Sequence, residues 1–275
     1  MLFRSAPQPL PGDIDMAAVI EVVNRLLPAD AVVTNGAGNF ASWVHRFHRY
    51  HGWARGHKTQ LAPTNGSMGY GVPTGIAANI TTGRTAFTIA GDGDFLMNGQ
   101  ELATAVQHGG KSIIVLLNNG MYGTIRMHQE REFPHHLSGS HLQNPDFAAL
   151  AQAYGYNGVR ITRTAEFEPA FVQALASDRG SVIEVMLDPE VITTRATLSA
   201  IRDADWLLPG PESFGRELIE RAFVAAGLIP PRPRVEAPVF ASSAELAART
   251  RLLTIAPEPA ARALARAGQI GRAHV

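Results

Sequence analysis

The sequence lacks cysteine altogether, so disulfide bonds and thiolate metal sites are excluded and a reducing compartment is favoured. It also lacks an excess of either charge, because 24 Lys and Arg residues balance 24 Asp and Glu residues. A chain without net charge indicates neither a basic surface for nucleic acid nor a polybasic patch for a membrane. The longest strand-like apolar run, from Ile113 to Leu117, is too short to cross a bilayer, and the first residues carry no signal-peptide pattern. We therefore expect a soluble, cytoplasmic protein with neither nucleic-acid nor membrane partners.

What the chain does contain, from Asp15 to about Met186, is an alternation of helix-like and strand-like segments. Asp15 is a favourable N-cap for a first helix that ends at Leu27. Further helices are predicted at 69–80, 98–107, 144–154 and 164–176, and strands at 31–34, 85–90, 112–117, 158–161 and 181–187. Because most of these strands are apolar on both faces, they predict a doubly wound parallel α/β sheet with helices on both faces.

Two polar, glycine-containing segments follow neighbouring predicted strands. Gly91-Asp92-Gly93-Asp94 comes directly after the strand at 85–90, and Asn118-Asn119-Gly120 comes after the strand at 112–117. Either segment alone is usually just a turn. Together they end two buried strands with a helix between them, so glycine N–H groups, one carboxylate and amide oxygens lie at one edge of the sheet. Such a set suits Mg²⁺ bound to a diphosphate.

The pair of segments, with 24 residues between Gly93 and Asn118, resembles the thiamine diphosphate signature. The stretch 91–129 is similar to acetolactate synthase-like enzymes, and the likeness extends from about Pro11 to Arg202. It implies a C-terminal, PP-type thiamine diphosphate-binding domain. The likeness implies that Asp92 and Asn119 are side-chain ligands of Mg²⁺ and that the carbonyl of Met121 is a backbone ligand. The residues implied at the diphosphate are Gly91, Gly93 and Asp94, and in a second loop Gly38, Asn39 and Phe40.

The same resemblance places Gly66-Ser67-Met68-Gly69 beneath the two rings of the cofactor. The backbone of Gly66 and Met68 would bond the pyrimidine, and the Met68 side chain would force the bent conformation of the cofactor. Without the neighbouring motifs, Met68 would be interpreted as an ordinary core methionine.

The function implied is decarboxylation of a 2-keto acid, followed by transfer or release of the aldehyde unit. In this family the glutamate that activates the cofactor lies in a separate N-terminal domain, usually of the partner subunit in a homodimer or homotetramer. We therefore expect no catalytic residue in this chain and no activity of the chain alone. His128 stands where biosynthetic acetolactate synthases carry tryptophan, which leaves the acceptor open, and it is a candidate for handling protons.

Two other site types are disfavoured by the residues. His45 and His48 are spaced for one helix face, and His135, His136 and His141 lie close in sequence, but no thiolate accompanies them, so zinc is not expected. Gly36-Ala37-Gly38 lacks the third glycine of a Rossmann dehydrogenase.

The composition changes beyond Asp203, where Ala, Arg, Pro and Leu dominate. We place a boundary between Asp203 and Trp206, separating a domain at 1–203 from an irregular, α-rich and poorly ordered tail at 204–275. Segments at 205–211, 217–228 and 234–236 resemble part of the effector-binding domain of LysR-type transcription regulators. The last six residues, 270–275, resemble a translated sequencing adapter. We interpret the tail as a foreign segment, with a natural tail as the alternative, and it leaves open a second function as a non-catalytic module that binds a small effector.

Overall fold

A computed structural model describes residues 10–52, 56, 58–133, 136–194, 197–198, 206–225, 230, 233–237, 246–247, 252 and 254. The chain divides into two units, one at 1–128 and 136–198, the other at 129–135 and 199–275. Several sequence predictions concern residues outside the described ones, namely the proposed boundary at 203–205, His135 and the last six residues. No helix within the described ranges is long and apolar enough to cross a membrane.

The first unit is built on a six-stranded sheet in which every pairing is parallel. Its strands are β1 (Val32–Asn35), β2 (Gln60–Leu61), β3 (Ala86–Gly91), β4 (Ile113–Asn118), β5 (Asn157–Ile161) and β6 (Ser181–Met186). Their order across the sheet is β2-β1-β3-β4-β6-β5. The chain leaves β1 to one side and returns on the other as β3, so the order reverses between these two strands. Ligands of doubly wound sheets bind at such a reversal, beyond the carboxyl ends of the strands.

Helices connect these strands, and acidic residues cap two of them. The helices are α1 (Met16–Leu26), α2 (Ser42–Phe47), α3 (Gly71–Thr82), α4 (Asp92–Asn98), α5 (Leu102–Gln107), α6 (Gly123–Glu132), α7 (Phe147–Ala153) and α8 (Phe167–Ala176). Asp15 caps α1 as predicted, since its carboxylate accepts the N–H of Ala17 at 2.9 Å. Asp146 caps α7 by accepting the N–H of Ala149, also at 2.9 Å.

Alternate residues of the strands fill two cores, one on each face of the sheet. Phe87 and Ile183 face the first core, together with apolar residues of α1, α2 and α8. Ile114 and Val182 face the second, together with apolar residues of α3, α5 and α7. Burial of each such large side chain contributes about 1.5–3 kcal/mol. The two cores confirm the doubly wound prediction and hold the strand ends in place at the sheet edge.

The structure differs from the sequence prediction most clearly after β3. The helix predicted at 98–107 is present as α5 and ends at Gln107, but α4 already begins at Asp92 and a 3₁₀ turn, Gly99–Glu101, separates the two helices. The turn packs closely, since a Cβ on Gly99 would lie 2.6 Å from the Phe95 ring. Helices α2 and α6 and strand β2 were not predicted. Most residues of α6 are polar, so no apolar stripe indicated a helix there.

The described part of the second unit contains a strand–helix–strand arrangement that the sequence did not indicate. Strands β7 (Trp206–Leu208) and β8 (Pro233–Glu236) pair in parallel, and α9 (Phe214–Ala225) lies between them in sequence. The Arg216 side chain bonds Glu220 at 2.6 Å and lies 3.6 Å from Glu236. A three-residue strand is too short to produce a periodic signal. The likeness to a LysR-type effector domain stays a prediction.

Candidate cofactor site

A cavity of about 250 Å³ lies at the carboxyl edge of the sheet in the first unit, next to the reversal of strand order. Segments after β1, β2, β3, β4 and β6 line it, which explains how residues far apart in sequence meet. All of the metal- and cofactor-binding residues expected from the sequence are among its lining residues: Gly38, Asn39, Phe40, Gly66, Met68, Gly91, Asp92, Gly93, Asp94, Asn119 and Met121. Their roles remain predictions, but the structure brings the whole set together.

The Asp92 carboxylate is the most heavily hydrogen-bonded group of the cavity. Its Oδ2 accepts from the N–H of Gly120 at 2.8 Å, the N–H of Met121 at 3.2 Å and Nδ2 of Asn144 at 2.7 Å. Its Oδ1 accepts only the N–H of Gly93, at 2.9 Å. Three donors saturate Oδ2, whereas Oδ1 keeps a lone pair for a cation. Burial raises the pKa of Asp92, and the four hydrogen bonds oppose that rise.

Asp94 is also buried, but its side chain serves a different connection. Its Oδ1 accepts the N–H of Gly69 at 2.8 Å and so links α4 to the segment that contains Gly66 and Met68. A Cβ on Gly36 would collide with this carboxylate. Burial raises the pKa of Asp94 to about 6, against the opposing effect of the Gly69 and Ala37 N–H groups. Its Oδ1 thus holds a loop, whereas its Oδ2 is buried without a hydrogen-bond partner.

Two glycines of the motif are required by close packing around the cavity. A Cβ on Gly91 would lie 2.7 Å from Cδ1 of Phe40, and a Cβ on Gly93 would lie 2.5 Å from Cε1 of Tyr122. Real Cβ atoms do not approach other atoms so closely, so any side chain would displace these rings. Glycine therefore lets the backbone and the aromatic walls approach each other.

Met68 lines the cavity with 38% of its surface exposed, which a core methionine would not have. The alternative interpretation of Met68 as core is therefore wrong. Gly66 in the same loop has a φ of 73°, a backbone conformation that L side chains rarely adopt.

The histidines singled out in the sequence are not part of this cavity. His128 lies on α6 and is not among the lining residues. Nε2 of His45 lies 3.1 Å from Oδ1 of Asn35, and the His48 ring packs edge-on against Tyr50. Among the described residues, no three His, Asp or Glu side chains are grouped to hold a metal ion. The expected Mg²⁺ set is of another kind, because an amide and a backbone carbonyl supply two of its three oxygens.

Sequence reasoning missed several residues of the site. Trp43, Tyr122, Thr124, Leu187, Val191 and Ile192 also line the cavity. Asn144 was considered only as the start of a helix, although its Nδ2 bonds Asp92. A polar residue directly before Pro145, at the start of a predicted helix, was the one available signal. The motif residue Asn118 does not line the cavity but donates to Glu184 in the sheet.

A parallel α/β sheet with a glycine-rich acidic turn and an amide pair at its carboxyl edge defines a class of domain that binds diphosphate-bearing cofactors. Residues 36–185 match the family described as "Thiamine pyrophosphate enzyme, C-terminal TPP binding domain". This match covers more than half of the chain, and the chain belongs to that family. The resemblance of the stretch 91–129 to thiamine diphosphate-dependent enzymes and the expected cofactor, thiamine diphosphate, are thereby confirmed.

Curated relatives of the chain include acetolactate synthase subunits. It is 34% identical over 188 residues to "Acetolactate synthase isozyme 2 large subunit" of Escherichia coli (strain K12), an overlap of 65% of this chain and 32% of that protein. It is 31% identical over 161 residues to "Acetolactate synthase catalytic subunit, mitochondrial" of Saccharomyces cerevisiae, an overlap of 58% of this chain and 23% of that protein. The chain thus spans about a third or less of the length of these relatives.

Among solved structures, the chain is similar to "Rhodococcus jostii RHA1 thiamine diphosphate-dependent 4-hydroxybenzoylformate decarboxylase". The TM-score is 0.58 at 26% identity, and the match covers 67% of this chain and 34% of that one. The first unit therefore has the α/β fold of a thiamine diphosphate-binding domain.

Proposed function

We propose that this chain holds the Mg²⁺-diphosphate end of thiamine diphosphate in an acetolactate synthase-like enzyme that acts on a 2-keto acid. The observation that carries the proposal is the convergence of every expected ligand on one cavity at the carboxyl edge of the sheet. Asp92 and Asn119 would supply side-chain oxygens to Mg²⁺, and Met121 its carbonyl oxygen. The lone pair left on Oδ1 of Asp92 supports this assignment, because Mg²⁺ prefers oxygen donors together with phosphate oxygens.

The remaining lining residues would hold the organic part of the cofactor. Gly91, Gly93 and Asp94 on one side and Gly38, Asn39 and Phe40 on the other would contact the diphosphate through their backbones. Gly66 and Met68 would lie beneath the rings, and the exposed Met68 side chain supports that role. Asp94 would keep this loop in place through its bond to Gly69.

When bound, thiamine diphosphate acts as the electron sink for decarboxylation of the 2-keto acid. This chain's own residues would bind and orient it. No glutamate is among the described residues that line the cavity, so the group that activates the cofactor would come from another domain, and the chain alone would be inactive. We further propose a cytoplasmic homodimer or homotetramer as the complete enzyme.

Isothermal titration calorimetry of the full chain tests the proposal. Thiamine diphosphate should bind when Mg²⁺ is present, while thiamine, which lacks the diphosphate, should not. The variant Asp92→Ala should lose this binding. Binding that is indifferent to Mg²⁺ and to Asp92→Ala would contradict the proposal and favour the alternative of an effector-binding regulatory fragment. Assay of the chain with pyruvate and the loaded cofactor should give no carbon dioxide.

A further inference from the structure

A chain of buried polar groups runs from the sheet to Asp92. Glu184 lies in the middle of β6 and is fully buried, which is unusual for a carboxylate. Its Oε1 accepts from Nδ2 of Asn118 at 2.7 Å, and its Oε2 accepts from Nε of Arg160 at 2.8 Å. Nδ2 of Asn144 then donates both to Oδ1 of Asn118, at 2.8 Å, and to Oδ2 of Asp92, at 2.7 Å.

From this series of hydrogen bonds we propose that Glu184 is a positioning residue for the Mg²⁺-diphosphate site, acting through Asn118 and Asn144 on the Asp92 carboxylate. The inference deepens the proposed function and rests on it. Glu184, Asn118 and Asn144 do not line the cavity, so they would influence the metal only by fixing its carboxylate ligand.

The direction of each amide follows from which of its neighbours donate and which accept hydrogen bonds. An ionised carboxylate can only accept, so Glu184 forces Asn118 to turn its NH₂ group towards β6. The carbonyl of Asn118 then faces the cavity side, where it also accepts the N–H of Gly120 at 3.2 Å. Asn144 must therefore present its NH₂ group to both Asn118 and Asp92. The amides of Asn118 and Asn144 thus take their directions from the Glu184 carboxylate.

The unpaired atom of Asn144 supports this order. Its Oδ1 is buried and has no hydrogen-bond partner in the structure. A flipped amide would place that oxygen against the Asp92 carboxylate and lose both donated bonds. The amide thus keeps its direction although one of its own atoms is left unpaired, as expected when acceptors on both sides dictate the direction.

The variant Glu184→Gln breaks the order without changing shape. Arg160 is a donor only, so the new amide must turn its oxygen towards Arg160 and its NH₂ group towards Asn118. Two NH₂ groups then meet, and relieving that conflict requires Asn118 and Asn144 to flip. Mg²⁺-dependent affinity for thiamine diphosphate, measured by calorimetry on the full chain, should fall about ten- to hundredfold, the usual effect of disturbing groups behind a metal ligand.

A second substitution provides a rescue that a merely structural role would not give. In Glu184→Gln combined with Arg160→Gln, residue 160 can accept from the new NH₂ group, so the oxygen at residue 184 again faces Asn118. Affinity should return to within about threefold of wild type, and Arg160→Gln alone should also stay within that range. Glu166→Gln is the matched control, because Glu166 also accepts from an arginine Nε, that of Arg163 at 2.9 Å, but has no link to Asp92.

Amide hydrogen exchange supplies a readout that needs no cofactor. The N–H of Gly120 is bonded to both Asp92 and Asn118, so it should exchange faster in Glu184→Gln and regain protection in the double variant. Wild-type affinity in Glu184→Gln, or a double variant as weak as the single one, overturns the proposal. A wild-type chain that does not bind thiamine diphosphate with Mg²⁺ defeats the proposed function itself and, with it, this role of Glu184.

Thermal melting of each variant identifies any that fail to fold. If Glu184→Gln fails to fold, Asn144→Leu takes its place, since Asn144 lies in a loop outside the sheet. Removal of its NH₂ group breaks the series of hydrogen bonds next to Asp92. Its Mg²⁺-dependent affinity for thiamine diphosphate should also fall about ten- to hundredfold, the loss usual for such groups. Wild-type affinity in a folded Asn144→Leu overturns the proposal.

Discussion

The two oxygens of Asp92 have unequal surroundings, and an isosteric substitution exploits the difference. In Asp92→Asn, the new NH₂ group avoids the Oδ2 position, where the donors of Gly120, Met121 and Asn144 converge. It takes the Oδ1 position, where it meets the N–H of Gly93. One hydrogen bond is lost and one mild conflict is introduced, so the free energy of unfolding should fall by only about 1–2 kcal/mol.

The effect on binding should be much larger. The NH₂ group occupies the position assigned to the metal-facing oxygen, and the charge that attracts Mg²⁺ is gone. Calorimetric affinity for thiamine diphosphate in Mg²⁺ should fall by more than about 100-fold, beyond the loss usual for residues behind a ligand. The matched control is Glu166→Gln, which neutralises an acid that does not line the cavity and should stay within about threefold of wild type.

Either of two results would refute this reasoning. Retention of Mg²⁺-dependent affinity by Asp92→Asn would mean that Oδ1 is not the metal-facing atom. A loss in Glu166→Gln as large as in Asp92→Asn would mean that the effect on affinity is not specific to the Asp92 carboxylate. Urea unfolding of both variants separates these outcomes from loss of the fold.

Three further predictions concern stability. Thiamine diphosphate at about 100 times its dissociation constant, with Mg²⁺, should raise the free energy of unfolding by about 2.7 kcal/mol, and EDTA should abolish the gain; a gain that survives EDTA would argue against a metal-bridged diphosphate. Phe87→Ala removes a fully buried ring packed edge-on against Phe171, so the free energy of unfolding measured in urea should fall by about 3–5 kcal/mol. The half-exposed control Val172→Ala should lose under about 1 kcal/mol, and similar losses in the two variants would contradict the assigned core. Burial, assisted by repulsion from His51, lowers the pKa of His48 to about 4. The pKa of His48 in the folded protein therefore lies below its unfolded value of about 6.5. Stability is unaffected by His48 above pH 6.5, and the free energy of unfolding falls as the pH drops towards 4, by about 1–2 kcal/mol after allowance for partial exposure. His48→Phe should flatten the pH dependence of unfolding in that window, and an unchanged slope would assign it to other groups.

The sequence was most informative where chemistry is local. Asp15 was assigned as a helix cap from its position before an amphipathic segment, and the strands ending at Gly91 and Asn118 were placed to within a residue. Apolar runs bounded by turn residues define buried strands, and alternation with helices defines a parallel sheet. The conspicuous Gly-Asp-Gly and Asn-Asn segments then indicated where a metal-diphosphate would bind.

Elements without an apolar stripe could not be predicted in this way. Helix α6 is largely polar, and strand β2 has two residues, so neither left a periodic pattern. The 3₁₀ turn that separates α4 from α5 begins at Gly99, where a Cβ would collide with the Phe95 ring, a tertiary contact that propensity does not encode. In the second unit, the parallel pairing of β7 with β8 joins two short segments separated by α9.

By itself the sequence determined the fold class and the two polar segments that follow β3 and β4 at the carboxyl edge of the sheet, because both follow from periodicity and from motifs contiguous in the chain. Only the tertiary structure decided which atoms of those residues are free to act. Asn118 and Asn119 are equivalent in the motif, yet one turns into the sheet towards Glu184 and the other lines the cavity. Asp92 and Asp94 are both buried acids of one turn, yet the carboxylate of Asp92 accepts from the segment after β4 while that of Asp94 accepts from the N–H of Gly69. The physical reason is that hydrogen-bond donors and acceptors from distant strands must be matched in a space that excludes water.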